Sequence, residues 1–236
     1  HLARYLHSQV RPLVQLGTLV THLQPTPTGW EVWTHDHRSG TSQGIACQQV
    51  VYAAPLHTLP YVYADAPTLP RLLHTPWVVA QLHLKHEPDS ADEPLHWDNV
   101  NYRGRGVGYV LANHQQLEGH RQAVTLTYYY PLTEAPPAEA RLLAQRRSHA
   151  QWCQLILDDL KGMHPDLPAL LTGMDVWVWG HGMVAPTPGY VWGSARQRLL
   201  QPLATGLHLA HTDVLGISIF EEAYCRGQTV ASQVLA

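Results

Sequence analysis

The chain has 236 residues, enough for one large domain or two small ones with a proper core. With 45% hydrophobic and 14% charged residues and no low-complexity tract, its composition sets disorder aside. A formal charge of -3 and a pI near 6.6 leave no electrostatic footprint for nucleic acid, and no apolar run approaches the roughly 20 residues of a spanning helix.

In chain order, "HLARYLHSQV" reads as the end of a helix closed by Pro12. "GTLVTHL" (17–23) and "WEVWTHD" (30–36) read as strands, with "QPTPTG" turning the chain between them. "SGTSQG" is a second turn, and "IACQQVVYAAP" a third extended run that stops at Pro55, completing a small antiparallel meander. "WVVAQLHLKH" (77–86) alternates, placing Val78, Ala80, Leu82 and Leu84 on one face. "VGYVLAN" (107–113) and "AVTLTYYY" (123–130) are two more strands. Residues 138–163 carry an imperfect helical stripe through Leu142, Leu143, Cys153, Ile156, Leu157, Leu160 and Met163. "MDVWVWGHG" (174–182) is extended, "GLHLA" (206–210) a short strand, and 218–235 a helix.

That last helix has a recognisable start. Ser218 followed by Glu221 fits a capping box, and Glu221 and Glu222 suit the positive end of a helix dipole better than a catalytic pair. Behind them Ile219/Phe220, Ala223/Tyr224, Gly227, Val230/Ala231 and Val234/Leu235 repeat near 3.6 residues.

Candidate chemistry is sparse. Cys47, Cys153 and Cys225 lie far apart and read as free thiols of a reducing compartment, consistent with a cytoplasmic protein and compatible with a peripheral membrane contact. Among the seventeen histidines, His35/His37 sit near a turn with no third ligand, and His83/His86 and His208/His211 fall on opposite strand faces, so no metal site is expected. "GISIF" lacks the second glycine of a nucleophile elbow, and "GRGVG" (104–108) lies between two strands, as a hairpin loop would, and not at a strand-to-helix turn. Strand alternation puts Trp177, Trp179 and His181 on one face. They form either an aromatic wall ending in an imidazole or, with packed aromatics commoner than exposed ones, a pair of indoles on the long helix beside a loop histidine. Tyr128 and Tyr130 share a face with Val124 and Leu126 and read as core. Arg196 is suited to a substrate carboxylate or to a surface salt bridge.

"LHLAHTDVLGISIFEEAYCRGQTVASQVL", a short strand, an Asp-containing turn and a capped helix, resembles the C-terminal flavin-binding segment of the FAD-dependent amine oxidase superfamily. That group includes amine oxidases, protoporphyrinogen oxidases and phytoene-desaturase-like enzymes. "QVVYAAPLHTLP" resembles its strand-then-proline passage into the substrate domain, and "GTLVTHLQPTPTGWEV" the hairpin before it. "DNVNYRGRGVGYVLANHQ" and "WGHGMVAPTPGYVWGSAR" resemble segments of uncharacterised bacterial members. The order and spacing agree over nearly the whole chain, although the usual Ala-Gly before the acid is replaced by Ala210-His211-Thr212-Asp213.

The resemblance implies an α+β fold, an α/β flavoprotein fragment in which a mixed-sheet substrate domain (56–200) is flanked by incomplete portions of a Rossmann-like FAD-binding domain (1–55 and 201–236). It implies that Val20 faces the adenine and that Ala53, Ala54 and Pro55 pass close to the cofactor. Asp213 would bond the ribityl chain, and Gly216, Ile217, Ser218 and Ile219 would meet the pyrimidine edge of the flavin. Trp177, Trp179 and Arg196 would line the substrate site, with His181 near the oxidised carbon. The implied activity is oxidation of a small organic substrate, amine-like or polyene- or porphyrinogen-like, by hydride transfer to flavin. A catalytically inactive binding module on the same fold is the alternative, and an isomerase without net redox change a third. The dinucleotide fingerprint is not in this sequence and there is no initiator methionine, so the N-terminal half of the FAD site is expected upstream of His1, and the fragment alone is expected to be inactive.

Overall fold

The computed structural model describes residues 2–88, 95–113 and 123–235. Helix α1 (Leu2–Val10) precedes strands β1 (Thr18–Thr26), β2 (Gly29–Asp36), β3 (Thr41–Cys47) and β4 (Val50–Tyr52) and the short helix α2 (Leu59–Val62). Strands β5 (Leu73–Leu84), β6 (Asp98–Asn99), β7 (Gly108–Leu111) and β8 (Val124–Pro131) follow. Helices α3 (Pro137–Arg146), α4 (His149–Leu160) and α5 (Leu167–Leu170) lead into the long strand β9 (Leu171–Ala185). Then come α6 (Ser194–Leu200), β10 (Leu207–Leu209) and α7 (Phe220–Leu235). The chain divides into two units, His1–Leu72 with Pro186–Ala236, and Leu73–Ala185. No helix among the described residues is long and apolar enough to cross a membrane.

In the first unit β1, β2 and β3 form the expected antiparallel meander, turning at Pro27–Thr28. Two expectations for this region are corrected. The second turn ends at Gly40, so Thr41–Gly44 of "SGTSQG" already pair in β3. The third extended run is also not one strand. It breaks at Gln48–Gln49, and β4 leaves the meander to pair in parallel with β10, Val50–Tyr52 lying against Leu207–Leu209. Its backbone groups are claimed there: Val50 N–H donates to Gly206 O at 2.7 Å, and Tyr52 O accepts from Ala210 N–H at 2.9 Å. Trp30, Leu56, Leu59, Tyr190, Leu199, Leu207, Leu209 and Val214 share one core. Segments 56–72 and 186–200, read from sequence as substrate domain, therefore pack with the first unit.

The second unit is a five-stranded antiparallel sheet in the order β6-β7-β8-β5-β9. Burial alternates without a break along β5 and β8, and the predicted inward set Val78, Ala80, Leu82 and Leu84 is buried. Helices α3 and α4 cover that face. The single long helix expected over 138–163 is two helices, because Ser148 stops the first and caps the second. The Ser148 hydroxyl accepts from Gln151 N–H, and the Gln151 side chain accepts from Ser148 N–H. The restart resets the helical phase. Trp152, Ile156 and Leu160 of α4 reach the core, while Leu142 and Leu143 of α3 face solvent. Burying a side chain such as Ile156 contributes about 1.5–3 kcal/mol.

Candidate functional site

Strands β4 and β10 run in the same direction, so both chains leave the sheet at the same end, where open α/β sheets bind ligands. From β4 emerge Ala53, Ala54 and Pro55; from β10 emerges the turn through Asp213 to Ile219. One side chain ties the two exits together. Asp213, only 1% exposed, accepts Leu56 N–H at 2.8 Å across 157 residues of sequence. His211 Nδ1 accepts Asp213 N–H at 3.1 Å and lies 3.2 Å from Asp213 Oδ1. The Tyr190 hydroxyl lies 3.0 and 3.1 Å from the carbonyl oxygens of Asp213 and Val214. Burial first, and then the Asp213 charge, pushes the Tyr190 phenol up to about 12, so it stays a donor. The carboxylate of Asp213 thus braces the two exits.

Gly216 has φ 78°, and a Cβ there would stand 3.0 Å from the Tyr190 ring, so only glycine lets the turn pass this closely. Beyond it Ile217 and Ile219 are exposed and Ser218 is half-buried. Helix α7 starts at Phe220, and its first turn closes with Ala223 N–H donating to Ile219 O. Ile219 therefore accepts the first bond of the helix, one residue after Ser218. The apolar stripe read along this helix is also largely uncovered. Val230 is buried, whereas Phe220 and Tyr224 are exposed and stacked on each other at 6.2 Å.

What fixes the helix is a residue that the sequence reading passed over. Arg226 is 3% exposed and donates from Nε to Leu209 O at 2.8 Å and from Nη2 to Leu200 O at 3.1 Å. It pins α7 to the last residue of β10 and to the end of α6, and desolvation holds its pKa below the usual arginine value. The one available signal was a charged residue flanked by the helix's apolar positions.

The remaining site candidates lie on other elements. Val20 lies in the three-stranded sheet, paired with Thr34 beside a register shift and exposed. Arg196, in α6, donates from Nη1 to Val191 O at 3.3 Å; this is a local turn contact, and no ion pair involves it among the described residues. Trp177 and Trp179 belong to the second unit and do not pack on its helices, correcting one of the two readings. Val176 and Val178 take the helix side, leaving the indoles 46% and 56% exposed on the other face. There the cross-strand register sets Trp77 between Pro131 and Trp179, and Val79 between Tyr129 and Trp177, giving a three-strand aromatic band. His181 is exposed on β9, its ring centroid 5.8 Å from that of His74. Tyr128 and Tyr130 are core residues, as read. The paired histidines hold protein groups: His35 Ser42, His37 Gly17 O, His83 Thr125 and Asp175, His86 Glu87 O, and His208 Gln49.

No protein-family model matches the chain, and no curated protein matches it in sequence. Among solved structures it is similar to the cyclohexylamine oxidase from Brevibacterium oxydans IH-35A, with a TM-score of 0.62 at 15% identity over 92% of this chain and 47% of that one. The p-nitrophenol 4-monooxygenase PnpA from Pseudomonas putida DLL-E4 follows at a TM-score of 0.47 and 10% identity, over 85% of this chain and 51% of that one. That second likeness is too slight to argue from. The likeness to the oxidase is one of fold, and the chain spans about half of that protein's length.

Proposed function

We propose that this chain is part of an FAD-dependent oxidoreductase that oxidises a small organic substrate by hydride transfer to flavin. The observation that carries the proposal is the joining of the β4 and β10 exits by Asp213, which brings Ala53–Pro55 and the turn Gly216–Ile219 into one place on an oxidoreductase fold.

The residues present fit one end of the cofactor. Gly216 lets the turn pass close over Tyr190, and the start of a sixteen-residue helix follows it, offering backbone N–H groups to the electron-rich edge of an isoalloxazine. Glu221 and Glu222 in the first turn partly offset the helix dipole, so the backbone donors and not the dipole are the principal attraction. Asp213, Tyr190 and Arg226 act as positioning residues, holding the two exits and the helix in register. FAD, when bound, supplies the hydride acceptor. The chain's part is to orient the ring, keep water from it and present the substrate. On the second unit, exposed Trp177 and Trp179 with His181 suit a planar or apolar substrate.

The described residues offer no glycine-rich strand-to-helix turn for the pyrophosphate. We assign that function to a complementary polypeptide half, in keeping with a chain that spans 47% of the oxidase. The test is the visible spectrum of the protein produced from the complete reading frame. A flavin band that survives gel filtration and bleaches with an amine or another reduced organic substrate supports the proposal. A folded, colourless full-length protein overturns it and leaves the binding module. The present chain alone is expected to purify colourless.

A further inference from the structure

The second unit carries a feature that the flavin reading does not use. Between the loop Asn101–Gly106 and helix α4 lies an open cleft of about 920 Å³, lined by Arg103, Arg105 and Arg147 together with Gln151, Gln154 and Asp158. Clefts of this size suit small molecules.

The loop is built against the helix. Asp159 accepts Arg105 N–H, Gly106 N–H at 3.1 Å and the Tyr128 hydroxyl at 2.7 Å, and Asn101 Nδ2 donates to Asp159 O at 2.7 Å. A Cβ on Gly106 would come within 2.3 Å of the Tyr128 oxygen, and one on Gly104 within 2.0 Å of Asn101 Nδ2, so a side chain at either position would push a group that bonds Asp159 out of place.

This arrangement decides the electrostatics. The carboxylate of Asp159 is spent on three internal donors, and that of Asp158 accepts Gln154 Nε2 at 3.0 Å. Arg147 lies over the Trp152 ring with Cζ 5.0 Å from the centroid, a stacking that orients its guanidinium while leaving the edge donors available. The charge of Arg105 lies near the Tyr130 hydroxyl, which donates to Glu134 at 2.6 Å. Among the described residues none of the three arginines forms an ion pair. Three arginines therefore border one cleft in a chain whose net charge is -3.

We propose that this cleft binds a small molecule bearing a phosphate or pyrophosphate group, with Arg103, Arg105 and Arg147 as the oxyanion donors. Planar forks of this kind match phosphate oxygens two at a time, and the glutamines of α4 supply further donors around them.

The experiment is calorimetric titration of the 236-residue chain with inorganic pyrophosphate, repeated at higher salt and on Arg147→Gln, Arg105→Gln and, as a control in the other unit, Arg38→Gln. The expected result is saturable one-site binding that weakens with salt, falls about tenfold or more in the two cleft variants, and is unchanged in the control. All three arginines are on the surface or beside it, and far-ultraviolet circular dichroism checks that each variant folds. Absence of saturable binding, or equal binding in the Arg147 and Arg105 variants, overturns the proposal. So does competition by FAD together with loss of flavin colour from the full-length Arg147→Gln protein, which would give the cleft to the flavin. Retained colour with lost pyrophosphate binding separates this site from the flavin reading.

Discussion

Strands β5 and β8 of the second unit bury every other side chain under α3 and α4, while the first unit leaves much of its apolar surface in the open. Helix α1 buries nothing, Leu13 and Leu16 beyond it are exposed, and α7 buries only Arg226 and Val230. Both units have amphipathic helices, so pattern alone does not separate them. The difference is whether the described residues supply a matching surface. In the second unit the sheet supplies it. In the first, the described residues leave α1 and α7 largely uncovered.

The largest effect expected from this comparison is in paired truncations. Ile156→Ala, at a fully buried position of α4, should cost about 2–5 kcal/mol in the second unit. Phe220→Ala, half-exposed on α7, should stay within about 0.5 kcal/mol in the chain alone. Hydrogen exchange followed unit by unit measures both, and similar costs at the two positions would break the comparison. Asp213→Ala should come next, at about 1–3 kcal/mol, because it strands the Leu56 N–H without its acceptor. The readout is faster exchange of the Leu56 amide, and Asp213→Asn, which keeps an acceptor oxygen, should restore much of the protection.

Alternation and turn chemistry made most of the fold legible. The strand face through Val78, Ala80, Leu82 and Leu84, the hairpin around Pro27 and the loop at Gly104–Gly108 are all local patterns that packing did not override. What stayed hidden is long-range. Val50–Tyr52 reads as a continuation of the meander because nothing near it in sequence announces a parallel partner at Leu207–Leu209. The break at Ser148 was visible in principle, since Ser148 and Gln151 have capping-box spacing, but the surrounding helix formers masked it. At the candidate site, Asp213 and Gly216 stood out as residue types, yet the Leu56 N–H that Asp213 meets and the carbonyls that Arg226 meets are backbone atoms with no sequence signature. Trp177 and Trp179 were correctly placed on one face, whereas which face the helices would cover depended on tertiary packing.

Ser148→Ala sharpens the same contrast at smaller scale. It should cost about 1 kcal/mol by removing the acceptor for Gln151 N–H, with the loss confined to exchange in the first turn of α4. An equal change in the first unit would mean that the two units do not unfold separately.

The smallest effect expected is a pH dependence confined to the second unit. His164 is buried there, with its Nε2 2.6 Å from the Tyr109 hydroxyl. Burial holds its pKa below the ordinary histidine value, the nearby Asp166 opposing the shift only in part. Burial also raises the Tyr109 phenol, which therefore remains protonated. On lowering the pH, the unfolded chain takes up the His164 proton before the folded one does. The contribution is thus complete above the unfolded value and is lost as pH falls toward the folded value. Unfolding of the second unit, followed from about pH 8 to about pH 5, should show this acid-side loss. His164→Gln, which still offers Tyr109 a hydrogen-bond partner, should flatten it without changing the exchange of α7. An unaltered slope in that variant would move the titration to another of the chain's histidines.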